Sequence, residues 1–158
     1  MKSRRPVNSD VRCYYFLSVS IQNEPQDAFP YRPVDLHELE LAARGPLTRF
    51  QYLLAVKFNY DVNQGGFSQL LYNMQGNYLS EIEDMLIATK AAVARDYYIR
   101  AVRICLENKE TYFAFLSSDY TEPNEVKHSL QLLSVDYLQR RNDFAKEAAD
   151  FLASGRDL

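Results

Sequence analysis

From residue 35 onward, apolar positions recur at helical spacing, and the interruptions of that recurrence mark where one element gives way to the next. Asp35 is placed to cap a helix, Glu38 stands at the reciprocal third position, and Val34 with Leu39 has the spacing of a hydrophobic staple. That helix ends at Arg44-Gly45. Pro46 then suits the first turn of a second helix, whose Leu47, Phe50, Leu54 and Phe58 share a face and which runs to about Tyr60. After Gly65-Gly66, the stripe Phe67, Leu70, Leu71 and Met74 makes a short helix closed by Gly76 in a left-handed cap. Ser80 and Glu83 form a second capping box, opening a helix that carries Ile82, Met85 and Leu86. A longer helix from about Lys90 to Leu106 is apolar on several faces, the pattern of a central element. Tyr112, Phe113, Phe115 and Leu116 give one more short helix, residues 117–124 read as an exposed loop, and a final helix runs from about Val135 to Gly155.

The first thirty-odd residues are less decided. Val11, Cys13, Tyr15, Leu17, Val19 and Ile21 alternate like a strand, while Ser9-Asp10 equally caps a helix, and helix is favoured. Pro25, Pro30 and Pro33 punctuate a connecting loop. The expected fold is therefore all-α: one compact domain of about six to seven helices over residues 35–158, with residues 1–34 as an N-terminal segment, extended or helical, packed on it.

Composition is that of an ordinary globular chain, 47% apolar and 25% charged, with a net charge of −3 that points neither to a nucleic-acid binder nor to a polyanion. No apolar run approaches the roughly 20 residues that a membrane span needs, so the chain is expected in the cytoplasm, away from membranes. Cys13 and Cys105 stand apart in apolar surroundings and read as reduced core thiols. The acids are unevenly spread. Residues 61–89 hold Asp61, Glu81, Glu83 and Asp84 with no Lys or Arg, and residues 107–125 hold Glu107, Glu110, Asp119, Glu122 and Glu125 against Lys109, a net −4 in each stretch.

Chemistry-bearing motifs are missing from the sequence. His37 and His128 lie far apart without metal-ligand spacing, Gly65-Gly66 lacks the Lys and Ser/Thr of a phosphate loop, and no Gly-x-Ser-x-Gly elbow occurs. The acids Glu81, Glu83 and Asp84 match what a helix dipole favours in a first turn. No catalytic residue, metal or cofactor is expected. Twelve tyrosines are a notable number, and Tyr14-Tyr15 and Tyr97-Tyr98 cannot both face inward from one helix face, which would leave some for a partner surface.

The segment around the glycine pair carries the most information. Asn63 and Gln64 end one helix, the glycines allow a tight corner, Phe67 begins the next stripe, and Gln69 and Asn73 lie four apart on the side away from it. Asn63, Gln69 and Asn73 either satisfy buried backbone groups and fix the corner, or line a small polar pocket for a ligand. The run Asp61-Val62-Asn63-Gln64-Gly65-Gly66-Phe67-x-Gln69-x-x-x-Asn73 resembles the Glu-Val-Asn-Asn-Gly-Gly-Phe-x-Gln-x-x-x-Asn signature of the "DNA mimic protein nineteen" domain family, and the likeness extends over roughly residues 35–152. Asp61, Gln64 and Ala88-Thr89 depart mildly from that pattern. The resemblance implies an all-α domain whose founding member is an acidic dimer that imitates duplex DNA on a transcription factor's DNA-binding surface. It implies here a protein partner, a basic DNA-binding protein in its sharpest form, no direct nucleic-acid contact, and a homodimer. Alternatives are a toxin-neutralising immunity-type protein and a small ligand-binding domain or enzyme built on Asn63, Gln69 and Asn73. Duplex DNA carries one negative charge per about 1.7 Å of axis, so two stretches of four net charges would imitate only a short piece of it.

Overall fold

The computed structural model describes residues 30–141 and 143–155. Among these the chain forms eight helices and no strand: α1 (Leu36–Ala43), α2 (Leu47–Met74), α3 (Leu79–Ala88), α4 (Ala92–Glu107), α5 (Lys109–Ser117), α6 (Glu125–Gln139), α7 (Phe144–Glu147) and α8 (Ala149–Ser154). The all-α expectation holds. The undecided N-terminal element and Cys13 lie outside the described residues.

Local signals explain most of the boundaries. Asp35 accepts the Glu38 amide at 2.8 Å and caps α1, with Val34 and Leu39 buried as its staple. The reciprocal half of that box does not form, because the Glu38 carboxylate pairs instead with Arg32 at 2.6 Å. Gly76 is left-handed as expected, preceded by a left-handed Gln75 at the end of α2. The capping box at Ser80 is a correction. Here α3 starts at Leu79 behind a left-handed Tyr78, Ser80 bonds to Glu81, and Glu83 is drawn to Arg95 on α4.

The C-terminal region departs furthest from expectation. One helix from Val135 to Gly155 is replaced by α6, which begins ten residues earlier, and by a break before α7 and α8. Asn124 starts α6 by accepting the Val126 and Lys127 amides at 2.8 and 3.0 Å. A left-handed Arg141 ends the run, and Asp143 caps α7 through the Ala145 amide.

The centre of the fold is α2 rather than α4. Every residue from Tyr52 to Asn59 is buried, so this stretch of α2 is covered on all sides, with α1, α3 and α6 packed around the helix. Phe58 sits among Phe67, Tyr98 and Phe144, and Phe67 meets Tyr137, which meets Tyr97. Tyr97 and Tyr98 are both buried, because α4 is sandwiched: Tyr98 donates to the Leu79 carbonyl at the start of α3 and Tyr97 to Asp136 on α6. Among the described residues five tyrosines are buried, five are half-buried and none is exposed; Tyr14-Tyr15 lie outside the described residues.

Candidate functional site

The glycine pair breaks α2 into two halves without separating them. Gly65 and Gly66 leave helical geometry, Gly66 with a φ of 74° that an L side chain rarely adopts. The first half therefore continues to Gln64, one turn past Tyr60, and the second starts at Phe67. A helix start leaves amide donors unsatisfied, and here Ser134 of α6 takes the Phe67 amide at 2.8 Å while donating to its own Leu130 carbonyl at 2.7 Å. A Cβ on Gly66 would collide with this serine. The corner exists because a hydroxyl from α6 occupies the space that a side chain would fill.

The polar motif residues do not act together. Asn63 is exposed, and its amide bonds back to the Asn59 carbonyl and side chain on the same helix. Gln69 and Asn73 instead converge on Asp61, Asn73 at 3.3 Å. Asp61 is 2% exposed, and thus is not part of any acidic surface, contrary to expectation. Its partner is Lys57, itself 3% exposed, at 3.2 Å, and the Lys57 ammonium also donates to the Val34 carbonyl at 2.5 Å. Burial outweighs these partners and raises the Asp61 carboxyl above the ordinary carboxylate range. In chemical terms this is a closed network whose donors and acceptors are directed at one another.

The remaining acids lie at the surface in two groups. On α3, Glu81 and Glu83 are half-buried and Asp84 is exposed, with Glu83 already neutralised by Arg95 at 2.8 Å. The second group is more open: Glu107 ends α4, Glu110 lies in the first turn of α5, Asp119 and Glu122 are in the loop, and Glu125 starts α6, all exposed. In the loop, Asp119 accepts the Thr121 amide and hydroxyl at 3.0 and 2.9 Å, which hold its carboxyl below the ordinary range. Lys127 donates to the Tyr120 and Glu122 carbonyls at 2.6 and 2.8 Å. A groove of about 830 Å³ runs between the starts of α5 and α6, lined by Asn108, Thr111, Asn124, Glu125, Lys127 and the exposed His128.

Several of these side chains carry no sequence signal. Lys57 falls inside an apolar run where a lysine reads as a solvent position, Ser134 is 67 residues from the amide it caps, and Glu147 of α7 accepts the Val93 and Ala94 amides at the start of α4. A four-residue spacing from Lys57 to Asp61 was the one available hint.

Among the described residues, no helix is long and apolar enough to cross a membrane. A family model described as "DMP19-like protein" matches residues 46–154, beginning at the head of α2 and leaving α1 outside. No curated protein and no solved structure matches the chain.

Proposed function

Because the chain belongs to the DMP19-like protein family, we propose that it is a non-enzymatic interaction domain that binds a basic protein partner through the acids at the α4–α5–α6 end. In its sharpest form the partner is a nucleic-acid-binding protein such as a transcription regulator, engaged at the surface that otherwise meets DNA. Family membership carries this reading. The charge distribution supports it and also chooses between the two acidic stretches. Burial of Asp61 and pairing of Glu83 leave Glu81 and Asp84 as the unpaired acids of the first. The second keeps five exposed carboxylates on consecutive elements, and neither Lys109 nor Lys127 forms an ion pair with them.

A face of this size steers and orients a cationic partner more than it creates tight affinity. The test uses a helical peptide rich in lysine and arginine, followed by fluorescence anisotropy across a salt series. Binding should weaken steeply with salt, and replacing Glu107, Glu110 and Glu125 together by glutamine should lower affinity about tenfold at low salt. An affinity that ignores both changes would sink the proposal.

A further inference from the structure

The loop between α5 and α6 is held from two sides. Along the second half of α2, Ser68 and Tyr72 lie one turn apart on a side facing the loop, and the left-handed Gln75 follows the end of the helix. Ser68 meets the Tyr120 hydroxyl at 2.9 Å and Tyr72 donates to the Ser118 carbonyl at 2.6 Å, while Gln75 reaches the Leu116 carbonyl in the last turn of α5 at 3.3 Å. The Ser68 hydroxyl already donates to the Gly65 carbonyl at 3.0 Å. With its one hydrogen so committed, Ser68 must accept from Tyr120, so a directed chain runs from the Tyr120 hydroxyl through Ser68 to the glycine corner. From α6, the Lys127 ammonium holds the Tyr120 and Glu122 carbonyls and lies 5.1 Å from the Tyr120 ring centre. Inside the loop, the Glu122 carboxylate accepts the Asp119 amide at 2.9 Å.

We propose that Tyr120 and Lys127 are positioning residues of the interaction surface, holding the loop in one shape, referenced to the glycine corner, so that Asp119 and Glu122 keep fixed places before a partner arrives. This rests on the reading of the acidic end as the binding face. It gives the family motif a role at a distance: the corner sets the half-helix that carries Ser68 and Tyr72 and ends before Gln75, and that half-helix sets the loop. A preformed loop spares the partner the cost of ordering it, and a loop that is competent for only part of the time raises the apparent Kd by the reciprocal of that fraction.

Lys127 makes the inference separable from simple electrostatics. Removing a cation from an acidic face should tighten binding of a cationic peptide if charge alone matters. Loss of positioning predicts the reverse. The experiment compares Tyr120→Phe and Lys127→Met with wild type by hydrogen exchange of the loop amides and by anisotropy with the same lysine- and arginine-rich helical peptide. Both variants should speed exchange between Ser118 and Glu122 by about three- to tenfold, leave the α2 amides unchanged, and weaken peptide binding by a similar or smaller factor. The double variant Asp119→Asn/Glu122→Gln reads the surface itself. If it binds the peptide as wild type does, these two carboxylates are not part of the binding face and the positioning role falls with them. If it weakens binding while Tyr120→Phe and Lys127→Met leave affinity unchanged or tightened, the surface stands and the positioning role is overturned.

Discussion

Lys57 and Asp61 show how a charged pair becomes part of a core. Neither ion is stable alone in the interior, and their attraction, with Val34, Gln69 and Asn73 on the remaining hydrogen-bonding positions, offsets only part of the desolvation of Asp61. Lys57→Met leaves the carboxylate without its cation and should lower the unfolding free energy by about 3–5 kcal/mol in denaturant titrations at neutral pH. The sign of its pH dependence follows from the raised Asp61 carboxyl. A folded value above the unfolded one favours the protonated state, so stability from that source is present below the unfolded value and is lost as pH rises through the folded one. The deficit of Lys57→Met should therefore shrink in acid, and the double variant Lys57→Met/Asp61→Leu should recover most of it at neutral pH. A deficit that grows in acid would show that the buried carboxylate is not the cause. Lys57 was illegible in the sequence because periodicity assigns a long polar side chain to solvent, whereas an internal carboxylate one turn along makes it a core residue.

Elements are held together here by a few polar contacts placed on apolar packing. The link between α4 and α6 is the Tyr97 hydroxyl on Asp136 at 2.6 Å, with Arg140 on the other carboxylate oxygen at 3.0 Å. Tyr97 first and Arg140 second hold the Asp136 carboxyl below its ordinary value. The contribution is thus present above the unfolded value and disappears as pH falls through the folded one. Tyr97→Phe should melt below wild type at neutral pH, and the gap should close in acid. Persistence of the gap at low pH would assign the loss to packing instead. At the glycine corner, Gly66→Ala combines a left-handed φ with a collision against Ser134, and calorimetry should show a loss of about 1–3 kcal/mol or more. Element starts written in local side chains were legible: Asp35 reads as a cap and Gly65-Gly66 as a corner. Asn124, also a local cap, was hidden because it follows Pro123 in a run that reads as loop, and α4 takes its cap from elsewhere, from Glu147, 53 residues on from Ala94.

For the molecule as a whole, the helix that carries the family signature is also the one that the others cover. Amides from Leu53 to Phe58 should exchange with solvent only through global unfolding, so their exchange free energies should equal that from denaturant titration; faster exchange there would mean that α2 opens independently. The fold class and the corner could be read from periodicity and from the motif, but the division of labour among the acids could not, since sequence counts Asp61 with Glu81 and Asp84 while burial removes it. The Phe67–Ser134 bond also bears on how the chain is made. Residues 67–74 are too few to hold helical structure unaided, and their start is satisfied by a serine that the ribosome adds 67 residues later than Phe67. A nascent chain ending before Ser134 should leave this half-helix and the corner unformed, so that the domain closes only once Ser134 has emerged, and truncation at residue 133 should give a chain unable to complete its core.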